Sequence, residues 1–300
     1  MKEFNKIYYG APGTGKSFKI KNVLNNVNSQ NVFRVMFFEE YSYFDFVGQY
    51  KPTVSHKTSQ GSYTDFQGNK VEGQEPVILY QYVEGVFLNA YTKAYKNLLT
   101  NKEPVFLIIE ELNRGNCSAV FGNIFQLLDR DTKGISEYPI KTDQELKKYL
   151  ENLKIKNMPF NELILPSNLF IVATMNTSDQ SLFPIDSAFK RRWHMKYIPI
   201  NYKEPSLKNV KIEKYNKNWL EFLEFINNII IKYLESENKC IGQWFLKSEN
   251  NIISENDFKN KLLHYLFFDV FKHHRSEVFK EQQFSKIINA KYMKDIFIND

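Results

Sequence analysis

Near the start of the chain, Gly10-Ala11-Pro12-Gly13-Thr14-Gly15-Lys16-Ser17 sets three glycines ahead of a lysine and a hydroxyl. The spacing matches G-x-x-x-x-G-K-[ST], and each position has a chemical use. Glycines let successive backbone N–H groups turn inward around an anion. Lys16 adds a charge that reaches β- and γ-phosphates. Ser17 offers its hydroxyl to Mg²⁺ and starts a helix whose N-terminal dipole favours the anion. Phe18 completes the candidate nucleotide-binding stretch. Such a loop needs a strand before it and a helix after it; Ile7-Tyr8-Tyr9 and Ser17–Val27 supply both patterns.

A second group sits at the end of the apolar run Val105–Ile109, where Glu110-Glu111 follow directly. A strand ending in two acids suits metal-assisted hydrolysis. The first acid, Glu110, orients Mg²⁺ through its water, and the second, Glu111, polarises the attacking water. As two surface acids at a strand end they would mean little alone; the glycine loop gives them their sense. A third group is Thr174-Met175-Asn176-Thr177-Ser178-Asp179-Gln180-Ser181. Asn176 is the candidate to hydrogen-bond the γ-phosphate and the water, although Asn-Thr-Ser-Asp also reads as an ordinary turn. The fourth group is Asp186-Ser187-Ala188-Phe189-Lys190-Arg191-Arg192-Trp193. Arg191 and Arg192 suit an arginine finger lent to a neighbouring subunit, and equally a solvated basic helix end or a nucleic-acid contact.

These groups need a scaffold. Candidate buried strands recur at Ile7–Tyr9, Val32–Phe38, Val105–Ile109, Leu169–Thr174 and His194–Ile200, with helical patterns at Ser17–Val27, Val83–Leu99 and Ala119–Leu128 between them. Alternation of this kind predicts an α/β fold with a doubly wound parallel sheet, whose strand ends gather the polar residues named above. Two stretches break the rhythm. Thr53–Gln74 reads as an inserted loop or hairpin, and the polar Lys133–Glu162 as a second insertion. After about Asn201 the pattern is helical only. Trp219, Phe222, Leu223, Ile226, Ile229, Ile230, Tyr233 and Leu234 form one stripe, and Asp257 is placed to cap a helix carrying Phe258, Leu262, Leu266 and Phe267. The expected division is a large nucleotide-binding domain over 1–200 and a smaller α-helical lid over 201–300.

Composition sets outer bounds. With 43% apolar residues the chain builds a full core, and its net charge of +6 is compatible with nearby nucleic acid without pointing to it. Cys117 and Cys240 make no disulfide framework, no signal peptide is expected, and no apolar run is long enough to span a bilayer. A reduced, cytoplasmic protein is expected. Lys141, Lys147, Lys148, Lys154 and Lys156 could touch DNA, but Glu145 and Glu151 are interleaved and a solvated charged surface is the plainer reading. His273-His274 reads as helix surface, and the histidines show no metal-ligand spacing.

With the four groups in this order, the chain resembles the AAA+ superfamily, and within it the McrB type, related to the MoxR and dynein-like clade. The resemblance rests on Glu110-Glu111-Leu112-Asn113-Arg114-Gly115-Asn116, on Met175-Asn176-Thr177-Ser178-Asp179-Gln180-Ser181, and on Tyr41-Ser42-Tyr43-Phe44-Asp45-Phe46 with Gln49-Tyr50-Lys51-Pro52. Ile241-Gly242-Gln243-Trp244-Phe245 looks like the family's lid segment. The resemblance implies a homo-oligomeric ring, commonly a hexamer, with Asn176 as the first sensor and Arg191 or Arg192 as the finger in trans. It implies GTP as substrate, or ATP as in most of the superfamily, with Mg²⁺, and a McrC-type partner carrying the nuclease of a DNA restriction complex. The loop itself does not separate GTP from ATP, because its amides touch only phosphates; base contacts are expected from Phe4 to Ile7 and the lid. Three departures stand out: Glu110 where the family favours Asp, Gln180 where it favours Arg, and a glycine loop starting at residue 10. From the last comes the expectation of a motor without its own DNA reader, such a domain being either removed or supplied by another chain. The rival readings are a MoxR-like chaperone ATPase and a nucleotide-gated scaffold with little hydrolysis.

Overall fold

The computed structural model describes residues 3–65, 69–177 and 183–298. The sheet has five strands, β1 (Asn5–Gly10), β2 (Val32–Met36), β5 (Val105–Glu110), β8 (Leu169–Asn176) and β9 (His194–Tyr197), in the order β2-β5-β8-β1-β9. Strands β2 and β5 pair in parallel with Val32 opposite Phe106 and Met36 opposite Glu110. Strand β5 is apolar and buried along its length until Glu110, as a strand covered on both faces must be. The doubly wound α/β scaffold expected from the alternation is present.

The chain forms two compact units. One comprises residues 1–5, 27–172 and 183–194; the other comprises 6–26, 173–182 and 195–300. The phosphate loop therefore clusters with the C-terminal residues, a different division from a cut near residue 200.

The first unit is built on aromatic packing. Phe46 sits in α2 (Tyr43–Phe46), started by a reciprocal pair in which Ser42 and Asp45 each accept from the other's backbone N–H. Its ring lies 5.5 Å from Phe37, 5.5 Å from Phe87 and 5.1 Å from Phe121. The expected break at 53–74 is a hairpin and is longer than expected, joining β3 (Gly48–Thr64) to β4 (Lys70–Glu84). Val83 and Glu84 pair with Gln49 and Gly48, so α3 (Val86–Leu99) starts three residues later than its pattern suggested. The expected helix Ala119–Leu128 is instead a short α4 (Cys117–Phe121) followed by a tighter 3₁₀ turn over Gly122–Leu128. The break falls at Gly122, with φ at 47°. The insertion 133–162 folds as β6 (Ile140–Lys141) paired with β7 (Glu162–Leu163) around α5 (Gln144–Asn152), which buries Leu146 and Leu150. Its Lys141, Lys147, Lys148, Lys154 and Lys156 are exposed.

In the second unit, α1 (Lys16–Val23) stops short of Val27. The Leu24 N–H is shared between the carbonyls of Ile20 and Lys21, and Asn25-Asn26 are poor continuers. The long helix, α7 (Trp219–Leu234), is capped by Asn218 and buries the expected stripe from Trp219 to Ile230. The region after 201 is not helical only. Residues Lys211–Ile212, Lys217–Asn218 and Ile252–Ile253 form a small three-stranded sheet, its turn carried by Lys214 and Asn216 at positive φ. Asp257 is not a cap. Ser254 accepts the Asp257 N–H, and Asp257 instead pairs with Lys261 at 2.7 Å one turn on. The following turns, Phe258–Leu263 and Leu266–Val270, widen to i→i+5 bonding and bury Phe258, Leu262, Leu266 and Phe267. Cys117 and Cys240 are both buried, and burial pushes each thiol up to about 12, so neither is a reactive thiolate. Among the described residues no helix is long and apolar enough to cross a membrane.

Trp219 is fully buried, so Trp219→Ala should lower stability by about 3–5 kcal/mol, read as a shift in the guanidinium midpoint.

Candidate functional site

Within the second unit, β1 delivers the chain into the glycine loop and α1 leaves it. Gly13 and Gly15 have φ of 78° and 90°, the left-handed conformation that turns the loop's amides inward. Thr14 Oγ1 donates to the Ala11 carbonyl at 3.0 Å. Lys16 is buried, and its Nζ donates to the Gly10 and Ala11 carbonyls at 3.0 and 2.8 Å. The ammonium is thus held against the inside of the turn before any phosphate arrives. Ser17 and Phe18 are exposed at the helix start.

The segment Ile241-Gly242-Gln243-Trp244-Phe245 lies directly on this loop. The Gly242 N–H donates to the Pro12 carbonyl and the Trp244 N–H to the Gly13 carbonyl, both at 2.8 Å. Gln243 Nε2 reaches the Thr14 carbonyl at 3.4 Å, while its Oε1 accepts the Asn201 N–H at 3.1 Å. The segment is fixed from behind by Asn227, which is fully buried in the apolar stripe of α7. Its Nδ2 donates to the Ile241 carbonyl and its Oδ1 accepts the Ile241 N–H, each at 2.9 Å. Trp219 Nε1 adds a bond to the Gln243 carbonyl at 2.9 Å. The sequence did not single out Asn227; the one available signal was an amide at a core position of a helix, which must be satisfied if buried. Beside the loop is a cavity of about 690 Å³ with Thr14, Gly15, Phe18, Tyr197, Asn201 and Trp244 in its wall. Phe18 and Trp244 are 62% and 44% exposed.

Within the first unit, β5 ends at Glu110, whose Oε1 pairs with Arg34 Nη1 from β2. Arg34 stands two residues back in the register from Met36, which faces Glu110, so the pair is diagonal on one face. Glu111 has φ 54° and ψ 46°, a left-handed conformation uncommon for a residue with a side chain. Its Oε2 lies 3.7 Å from Arg114 Nε. Backbone strain of this kind clusters at functional positions. Asn113 is buried, and its carbonyl accepts the Phe183 N–H at 2.9 Å. Asn176 ends β8 half-buried, while Ser178, Asp179, Gln180 and Ser181 lie outside the described residues.

The two arginines part company. Asp186 caps the short helix α6 (Ser187–Lys190) by accepting the Phe189 N–H at 2.6 Å. Arg192 turns inward. Its Nε and Nη2 both bind Asp129 Oδ2, at 2.8 and 2.7 Å, Nη1 donates to the Ala188 carbonyl, and its plane lies 4.0 Å from the Phe125 ring centre. Arg191, one residue earlier, is exposed. Arg192 is therefore bonded within its own chain, whereas Arg191 is exposed.

Gly242 has no room for a side chain, since a Cβ there would stand 2.3 Å from the Gly13 carbonyl carbon and 2.4 Å from the Thr14 nitrogen. Gly242→Ala should push the segment off the loop and weaken nucleotide binding by about tenfold or more, a loss of at least ~1.4 kcal/mol. Equilibrium binding of a fluorescent nucleotide would show it.

Residues 6–193 match the family model described as AAA domain (dynein-related subfamily). The chain is 41% identical to the type II restriction enzyme BsuMI component YdiS of Bacillus subtilis (strain 168), over 95% of this chain and 84% of that one. It is 26% identical to the type IV methyl-directed restriction enzyme EcoKMcrB subunit of Escherichia coli (strain K12), over 80% of this chain but only 45% of that protein. The chain belongs to the dynein-related subfamily of AAA domain proteins and is an AAA+ ATPase of the McrB type.

Proposed function

We propose that this protein hydrolyses GTP or ATP with Mg²⁺ as the motor of a cytoplasmic DNA restriction complex, working as a homo-oligomeric ring of six subunits with a McrC-type nuclease partner. The observation that carries the reading is the preformed phosphate loop, with Lys16 already held on the Gly10 and Ala11 carbonyls at the head of α1. Restriction as the setting is supported by the two relatives, both restriction-enzyme components.

In this reading the loop amides and Lys16 bind the β- and γ-phosphates. The Ser17 hydroxyl and the Glu110 carboxylate are hard oxygen donors of the kind Mg²⁺ takes, and nucleotide phosphates complete such a shell. Mg²⁺, when bound, neutralises charge on the phosphates. Glu111 accepts the proton of the attacking water and Asn176 hydrogen-bonds that water and the γ-phosphate. Arg191, supplied by a neighbouring copy, stabilises charge on the transferred group, while Arg192 holds the end of α6 in place. Phe18 borders the nucleotide. In function, residues 1–200 are the motor and 201–300 the lid, with the segment 241–245 as the part of the lid that meets the loop.

One observation favours a second reading, a nucleotide-gated scaffold: Glu110, the metal-side acid, is engaged by Arg34. Phosphate release by the purified protein with ATP and with GTP, with and without partner, decides. Rapid release by the isolated chain removes the scaffold reading, and the nucleotide giving faster release is the substrate.

Glu111→Gln should keep nucleotide affinity and lower turnover by about 10²–10⁴-fold; a variant with normal turnover would show that the base lies elsewhere. Arg191→Ala should lower turnover at unchanged thermal stability. Arg192→Ala should do the opposite first, costing about 1–3 kcal/mol of stability because Asp129 loses its partner. Melting curves and phosphate release on the same samples separate the two.

A further inference from the structure

A second cavity, of about 420 Å³, lies within the first unit and belongs to none of the roles above except that Arg191 and Arg192 stand on its rim. Its wall includes Asn5, Asp129, Arg130, Asp131, Trp193 and His194. Three of these carry buried polar atoms with no hydrogen-bond partner among the described residues: Arg130 Nε and Nη2, Trp193 Nε1 and Asn5 Oδ1. Buried polar groups are nearly always paired, so three such side chains around one cavity are a pointed exception.

The chemistry they ask for is specific. Arg130 is half-buried, its guanidinium lies over the Phe4 ring, and its Nη1 donates to the carbonyls of Gly134, Pro166 and Leu169 at 3.0, 3.4 and 2.9 Å. Burial without a facing carboxylate pulls this guanidinium down to about 9. The two local acids are already engaged. Asp129 pairs with Arg192, and Asp131 Oδ1 accepts the Lys133 and Ile135 N–H groups. The edge made by Nε and Nη2 presents two parallel N–H donors, the fork that matches two oxygens of a carboxylate or phosphate. The Trp193 indole adds a third donor. Asn5 commits its Nδ2 to the carbonyls of Leu128 and Arg192 at 2.9 and 3.1 Å, which fixes the amide and leaves Oδ1 to accept. The volume lies in the range of small-ligand sites.

We propose that this cavity binds a small oxyanion that carries its own hydrogen-bond donor, held by Arg130 and Trp193 through its oxygens and by Asn5 through its donor. Hydrogen phosphate and a 2-hydroxycarboxylate share this chemistry. The site adjoins the chain end of α6, so its occupant would stiffen the backbone that carries Arg191.

The three tryptophans make the test direct. With the full chain labelled with ¹⁵N-tryptophan, hydrogen phosphate and glycolate are each titrated at constant ionic strength against sodium chloride. The Trp193 indole N–H resonance, assigned by its loss in Trp193→Phe, should shift saturably at millimolar anion. Trp219 is bonded to Gln243 and reports the fold. Trp244 lies beside Gly15 and reports phosphate entering the glycine loop instead. A shift with phosphate alone or glycolate alone names the oxyanion class. Arg130→Met should weaken the response by about tenfold or more, with Trp219 unmoved. Should that variant fail to fold, Arg130→Lys keeps the charge but not the forked edge, and the same weakening is expected. A Trp193 resonance that ignores both anions, follows chloride equally, or responds unchanged in Arg130→Lys overturns the site.

Discussion

The phosphate loop depends on a short backbone ladder. Gly242 and Trp244 donate to the carbonyls of Pro12 and Gly13, so the outward side of the loop is hydrogen-bonded to the segment 241–245. A glycine-rich turn is conformationally expensive, because glycine gives up more freedom on ordering than any other residue. The ladder offsets part of that cost by satisfying carbonyls that point away from the anion, leaving the N–H groups aimed at it. Asn227 is what makes the ladder rigid. One amide, buried in the apolar face of α7, takes both backbone groups of Ile241. Asn227 thus ties α7 to the segment that meets the loop through two hydrogen bonds to Ile241.

Strain is the second theme. Glu111 is held left-handed at the point where β5 gives way to the turn Leu112–Arg114. A non-glycine residue in this region costs of order 1–3 kcal/mol and persists where its surroundings fix it. Here Asn113, buried and bonded through its carbonyl to Phe183, supplies one anchor on the far side of the turn, and the Arg114 guanidinium approaches the Glu111 carboxylate. The strand end thus aims two consecutive acids differently. Glu110 keeps the strand's direction and meets Arg34, while Glu111 is swung out of it. Two adjacent carboxylates in regular strand geometry would also point to opposite faces, but neither would be held by its backbone.

Much of this was legible in the sequence, and the failures have identifiable causes. The loop, the apolar β5 with its terminal acids and the stripe on α7 are set by local rules of residue type and period, so they emerge without tertiary information. The missed features turn on backbone geometry or partners that periodicity does not record. Val83 and Glu84 read as helix until Gly48 and Gln49 claim them for the hairpin. The helix at 119–128 has an adequate pattern, but Gly122 takes a positive φ that no periodicity records. Ser254 displaces Asp257 as a cap because both are good caps and only geometry chooses. Asn227 carries no periodic signal of its own. Its role follows from a bond to a residue fourteen positions away.

The arginines show how one physical rule assigns different roles to chemically identical residues. A guanidinium removed from water must recover its hydration through partners. Arg192 does so fully, with a carboxylate, a carbonyl and an aromatic face, and becomes structural. Arg275 does so by stacking on Phe267 and donating to its carbonyl at 2.9 Å. Arg191 stays in water and keeps its charge available. Arg130 fits neither pattern. It is half-buried over the Phe4 ring and bonded through Nη1, while its buried Nε and Nη2 have no hydrogen-bond partner among the described residues. Sequence alone ranks the neighbouring Arg191 and Arg192 equally and does not notice Arg130 at all, because the distinction lies in what each charge has been given in exchange for water.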